Sequence, residues 1–153
     1  MADTFDKTAA VALLNQILEA ELAGVVRYTH YSLMVFGHSR IPIVSWLRVQ
    51  ASEGLTHAYE AGELITHFGE HPSLKIGALL ETQQHDISDI LVESLEAERR
   101  GLELYYNLLD LVRDKSVLLE EYARKMIALE EMHLDEVNKM LRKPGDVKAF
   151  AER

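Results

Sequence analysis

No cysteine occurs anywhere in the chain, so disulfides, thiolate metal sites and cysteine nucleophiles are excluded. Any bound metal must be held by carboxylates and imidazoles, and the absence fits a reducing compartment. Proline is scarce at three residues and glycine stands at eight, too few for the many turns of a sheet protein. Lys and Arg number 16 against 25 Asp and Glu, with no basic tail; the formal charge of −9 disfavours nucleic acid as a non-specific partner and suits cations. No apolar run approaches the roughly 20 residues of a membrane span, and the opening MADTFDKTAA lacks the basic-then-apolar order of a signal peptide. The expectation is a cytoplasmic protein with neither nucleic acid nor membrane as partner.

What remains is a chain of 153 residues, 48% hydrophobic and 27% charged, sufficient for one domain (1–153) with a continuous core. Helical spacing runs almost from end to end, with three interruptions. Gly37-His38-Ser39-Arg40 is followed by Pro42, which the first turn of a helix tolerates; a longer break runs from Gly69 to about Gly77; Asp114-Lys115-Ser116 is a short polar joint. Four helices are predicted at roughly 6–36, 41–68, 79–113 and 116–142, and Lys143-Pro144-Gly145 stops the last, leaving a short tail. Helices of this length suit an all-α antiparallel bundle, and the long middle linker places a full-length crossover between the second and third helices.

Each helix has one mainly apolar stripe, and the residues that interrupt the stripes carry the chemistry. The first runs Leu14, Leu18, Glu21, Val25, Tyr28, Ser32, Val35; the third Ile87, Leu91, Ser94, Glu98, Leu102, Tyr105, Leu109, Val112. The fourth, Leu119, Ala123, Met126, Glu130, His133, Val137, Met140, turns a carboxylate and an imidazole inward together. The second runs Ile43, Trp46, Gln50, then Glu53 or Gly54, then His57, Ala61, Leu64, Phe68. Taken singly, an inward glutamate reads as a register error or the partner of a buried Arg, and an inward histidine as a hydrogen-bonded core residue. Four helices converging acid and imidazole on one core are different, because unpaired buried carboxylates would cost several kcal/mol each and a multivalent cation removes that penalty. Glu130 and His133, three residues apart, share a helix face and can serve one metal pair. Tyr28 and Tyr105 read as core aromatics. His30, His38, His67, His71 and His85 read as surface or loop residues, and Glu19, Glu96, Glu103 and Glu131 as solvated.

These residues resemble those of the bacterioferritin family over nearly the whole chain. LNQILEAELAGVVRYTHYSLMVFG looks like the family's first helix, with Glu21 matching a terminal iron ligand and Tyr28 the site-adjacent tyrosine, which makes Tyr28 the candidate catalytic side chain. EAERRGLELYYNLL is similar to the third helix, with Glu98 matching a second terminal ligand; ALEEMHLDEV is similar to the fourth, with Glu130 as bridging carboxylate and His133 as imidazole; HPSLKIG is similar to the crossover loop. The second helix departs from the pattern. The family has Glu-x-x-His, whereas Gly54 stands three residues before His57, in SEGLTHA. Glu53, about 40° around the helix from His57, is the alternative sixth metal ligand or an acid on an iron path. Leu55 stands where the family places its haem-ligating methionine, so haem is not expected.

The resemblance implies a ferritin-like four-helix bundle whose cofactor is a non-haem di-iron centre, held by Glu21, Glu53, His57, Glu98, Glu130 and His133. It implies a ferroxidase that takes up Fe(II), oxidises it with dioxygen or peroxide and stores Fe(III) in a hollow shell of roughly 24 subunits. The partners would be iron and copies of this chain, or a related subunit in a mixed shell. Three alternatives stay open: a shell subunit with a modified or degraded site that co-assembles with an active partner, a rubrerythrin-like peroxidase, and a metal-free helical adapter.

Overall fold

The computed structural model describes residues 4–79 and 81–151. It contains four helices, α1 (Lys7–Met34), α2 (Arg40–His67), α3 (Ile87–Val112) and α4 (Val117–Leu141). Asp6, Asp86 and Ser116 start α1, α3 and α4 with side-chain oxygens that accept from Ala9, Ser88 and Leu119 N–H groups. Short joints make α1 antiparallel to α2 and α3 antiparallel to α4, and α1 also packs on α3. Gly37 turns the first joint at φ 99°, a left-handed conformation that a side chain would disfavour.

The crossover between α2 and α3 is a long loop, and its contacts fix its direction. Ser73 N–H donates to Asn15 Oδ1 at 2.7 Å, Gly77 N–H to the Glu19 carbonyl at 2.8 Å, and Glu81 lies beside His30. The loop therefore travels along α1 in the same direction as α1 and delivers α3 parallel to α2. At Gly77 the approach is so close that a β-carbon would lie 3.3 Å from the Glu19 carbonyl oxygen.

The structure corrects the expected start of the third helix from residue 79 to Ile87. A 28-residue helix is about 42 Å long, and the ten residues left by a helix starting at 79 would span about 36 Å at full stretch. The added loop residues make the crossing possible. Three further expectations change. The buried stripe of α2 is Val44, Leu47, Gly54, Ala58, Ala61 and Ile65, rotated by one residue from the expected Ile43-Trp46-Leu64-Phe68 line. Met140, expected on the α4 stripe, is exposed. Finally, α1 does reach the length and hydropathy of a membrane span, with a mean hydropathy of 1.5 over its most apolar window, contrary to the expectation that no run comes close. In the bundle its Leu14, Ile17, Leu18 and Tyr31 are buried against the other helices.

The core is divided along the bundle. One apolar cluster contains Leu14, Ile17, Leu108, Leu119 and Met126; others, toward the opposite end, contain Tyr31, Val35, Leu47 and Ile90, and Leu91, Leu95 and Val137. On α1, α3 and α4 the polar residues between these clusters are Glu21 and Arg27, Glu98, and Glu130 and His133. The polar residues thus form a belt with apolar packing on either side.

Candidate metal centre

Within that belt lies a cavity of about 300 Å³, lined by Glu21, Tyr28, Glu53, Gly54, His57, Glu98, Glu130 and His133 among others. Helix periodicity puts these donors there: Glu21 follows Leu14 by two turns and Leu18 by one, and Glu130 and His133 sit one turn apart. Glu21, His57 and Glu130 each offer a donor atom within 4.8 Å of the other two. His57 Nδ1 is 3.6 Å from Glu21 Oε2 and 3.7 Å from Glu130 Oε1. Across the cavity, His133 Nε2 is 3.8 Å from Glu98 Oε1, and the Tyr28 hydroxyl donates to Glu98 Oε1 at 2.9 Å while lying 3.3 Å from His133 Nε2. Two carboxylate–imidazole pairs therefore face one another, with Glu130 on the helix that also carries His133.

Several partners orient these donors. The Tyr105 hydroxyl donates to Glu21 Oε1 at 2.8 Å, so the residue that reads as core from sequence also positions a carboxylate. Trp46 stacks on His133 with ring planes 7° apart and centroids at 6.1 Å, limiting the rotation of that imidazole. Arg27 is buried at the cavity wall, next in sequence to Tyr28, and the stripe pattern passes over it because it lies about 100° around the helix.

Electrostatics reflect four acidic side chains in a small volume. Burial lifts the Glu130 carboxyl far above the usual carboxylate range, and Glu98, Glu21 and Glu53 push the same way. Its Oε2 is shielded from solvent and has no hydrogen-bond partner. Burial also raises Glu21, with His57 acting against it. For Glu98 burial is outweighed by hydrogen bonding from Glu130, by His133, by the Tyr28 hydroxyl and by Arg27, so its carboxylate is held below the usual range. His57 stands above the usual imidazole value: burial disfavours its charge, but Glu21, Glu60 and Glu53 outweigh burial. Burial and Glu98 push the Tyr28 phenol well up, so it remains a proton donor to Glu98. Proton sharing among carboxylates keeps the metal-free belt tolerable, and a cation would replace those protons.

Of the sequence-predicted residues, Glu21, Tyr28, His57, Glu98, Glu130 and His133 converge on the cavity. Glu53 also borders it, but it is exposed and lies outside the close donor group of Glu21, His57 and Glu130. Gly54, not Glu53, is the buried member of that pair: a β-carbon at Gly54 would stand 3.8 Å from Glu21 Oε2. The donor set fits a carboxylate–imidazole metal pair with one edge left without a side chain. His30 and His85, read as surface or loop residues, are instead half-buried beside Glu81; the pattern could not bring them together because the crossover, not helix periodicity, does so.

Residues 11–145 match the sequence model of the ferritin-like domain. No curated protein matches the chain. Among solved structures, a ferritin-like diiron-carboxylate protein from Bacillus anthracis superposes with a TM-score of 0.83 at 21% identity, over 88% of this chain and 96% of that one. BfrA from M. tuberculosis gives 0.81 at 22% identity, over 89% and 84%. The dodecameric thioferritin of Bacteroides fragilis, a bacterioferritin-related protein, gives 0.81 at 20% identity, over 90% and 86%. At these identities the likeness speaks for the fold.

Proposed function

Since the chain belongs to the ferritin-like domain family, we propose that it is a bacterioferritin-type iron-storage subunit that binds Fe(II) in the bundle centre and oxidises it for storage. The observation that carries this reading is the convergence of Glu21, His57, Glu98, Glu130 and His133 from four helices on one cavity. Glu21 and His57 would hold one iron, Glu98 and His133 the other, with Glu130 serving both. Iron supplies the electrons that reduce dioxygen or peroxide.

The protein's own part is positioning and charge. The Tyr105 hydroxyl fixes Glu21, and the Tyr28 hydroxyl fixes Glu98 beside His133. Glu130 gives up its proton as the cation enters, which makes uptake pH-dependent. Apolar clusters pack on both sides of the cavity. The product would be kept in a closed shell of copies of this chain, or of this chain with a related subunit, acting in the cytoplasm. The exposed Leu33, Phe36, Ile41, Val49 and Tyr59 of the α1–α2 side are apolar surface that such assembly would cover.

Gly54 favours a second reading, in which the chain is a shell subunit whose centre loads weakly and which relies on an active partner subunit. The donor missing from α2 lies against Glu21 Oε2, at the edge of the metal pair. Anaerobic Fe(II) binding followed by exposure to dioxygen separates the readings. Stoichiometric binding with rapid oxidation supports the first; weak binding with slow oxidation that a co-expressed partner restores supports the second.

A further inference from the structure

The crossover gathers a second donor set, away from the bundle centre. His30 Nε2, on α1, lies 3.0 Å from Glu81 Oε2, and His85 Nε2 lies 3.5 Å from Glu81 Oε1. The imidazole rings are 5.4 Å apart between centroids and inclined at 66°. One donor atom from each residue lies within 4.8 Å of the other two. His30 is two residues from Tyr28 and so about 200° around α1 from it, facing away from the central cavity.

These separations resemble ion pairs, yet the hydrogen bonds are not made. His30 Nε2, Glu81 Oε2 and His85 Nε2 are all shielded from solvent and none has a hydrogen-bond partner. Buried polar atoms are normally paired, so three such atoms on converging side chains call for a ligand that satisfies them together. A cation among them does so, because neutral imidazole nitrogen and carboxylate oxygen each have a lone pair to donate. With metal–nitrogen bonds of about 2.0–2.1 Å, donors around a tetrahedral or octahedral ion stand roughly 2.8–3.4 Å apart, a range that contains the 3.0 Å between His30 Nε2 and Glu81 Oε2.

The surrounding chain holds this arrangement. In an extended strand Glu81 and His85 would be about 13 Å apart, but Gln83 takes a left-handed turn at φ 60° that folds the segment back. The Gln83 N–H donates to Glu81 Oε1, leaving Oε2 free to face His30. Beside them, Glu93 of α3 accepts from the Thr82 N–H and hydroxyl and from Tyr31, which follows His30. Glu93 thus ties the residue after Glu81 to the helix turn that carries His30.

We propose that His30, Glu81 and His85 form a second metal site, taking one divalent transition-metal ion of the Zn(II) class and tying the end of the crossover to α1. Two imidazole nitrogens and one carboxylate suit such an ion better than Mg(II) or Ca(II), which take oxygen donors, and three protein ligands leave room for water. The site is independent of the bundle centre.

The test uses the full-length protein with Zn(II) and Co(II) as probes, in the parent and in Glu130→Gln, each with and without Glu81→Gln or His85→Ala. In both backgrounds Glu81→Gln should remove one Zn(II) per subunit, with at least the 10–100-fold loss of affinity that even an outer partner costs a metal site. In the Glu130→Gln background, Zn(II) should still raise the thermal midpoint, and Glu81→Gln should abolish that rise. Visible Co(II) bands in Glu130→Gln should change or vanish with His85→Ala. The same Zn(II) count with and without Glu81→Gln overturns the proposal, as does a Glu130→Gln protein that binds no Zn(II). If Glu81→Gln lowers only the metal-free midpoint, the cluster is an imidazole–carboxylate ion pair and the proposal fails. Glu81→Gln preserves side-chain size, so the result does not depend on a truncation.

Discussion

A β-carbon added to Gly54 would stand 3.8 Å from Oε2 of Glu21 and 3.3 Å from the Val25 side chain. Position 54 therefore points at the carboxylate that faces His57, and the glycine leaves the space beside the candidate metal centre without a donor. Glu53, the neighbouring acid, acts on His57 and Glu130 through its charge while its own side chain is exposed.

Gly54→Glu should raise metal affinity and Fe(II) oxidation rate, while Glu53→Gln should change both far less than Glu130→Gln does. Replacing glycine in a helix gains roughly 0.5–1 kcal/mol, but another buried carboxylate beside Glu21 costs more than that without metal. The metal-free variant should accordingly melt below the parent and the metal-loaded variant above it. Calorimetry with and without metal reads both signs; if Gly54→Glu leaves affinity unchanged and Glu53→Gln removes binding, Glu53 is the working ligand.

Glu130→Gln should act in opposite directions on stability and on binding. Its carboxyl is raised above the ordinary value of 4.5, so the metal-free folded state keeps a proton that the unfolded chain releases. That contribution is fully present below about pH 4.5 and is lost as pH rises through the folded-state value, so metal-free stability declines with rising pH. Glutamine mimics the protonated form and removes the decline. At alkaline pH the metal-free variant should melt higher than the parent, by roughly 2–4 °C for each kcal/mol recovered, while losing metal at every pH. Thermal melts across pH without metal decide this; parallel curves for parent and variant would contradict it.

Tyr28→Phe and Tyr105→Phe should each destabilise the metal-free protein by about 1–3 kcal/mol, because each leaves a buried carboxylate, Glu98 or Glu21, without its hydroxyl donor. Metal loading neutralises those carboxylates, so the penalty should shrink in the loaded protein. Urea unfolding of the metal-free and loaded forms measures the difference; equal penalties would mean that the tyrosines serve packing alone.

Sedimentation at micromolar concentration should show a large closed assembly, with the apolar α1–α2 surface covered. A species that remains monomeric would contradict the storage reading. The purified assembly should also lack stoichiometric haem bound between methionines, since Leu55 offers no ligand on α2, and an absorption spectrum with a strong Soret band would contradict that.

The bundle and most of its centre are legible in sequence for one physical reason: a helix repeats every 3.6 residues, so an acid within an apolar stripe declares its inward position. Glu21, Glu98, Glu130 and His133 all announce themselves in this way. On α2 the stripe is weaker, with Gly54, Ala58 and Ala61 supplying little hydrophobic contrast, and the pattern slips by one residue toward Trp46 and Leu64. Tyr105 and Trp46 are legible as core, but their contacts with Glu21 and His133 depend on helix pairing that periodicity does not specify. The start of α3 and the meeting of His30, Glu81 and His85 lie with the crossover, whose path is set by single contacts such as Gly77 to Glu19 and carries no repeat.

Anaerobic Fe(II) titration of the parent beside Glu130→Gln tests the central claim most directly, with bound iron per subunit as the readout. The account predicts tight uptake by the parent, its loss from the bundle centre in Glu130→Gln, and retention of helical structure in both. Equal iron bound by the two proteins at every Fe(II) concentration would show that the converging carboxylates are not a metal centre.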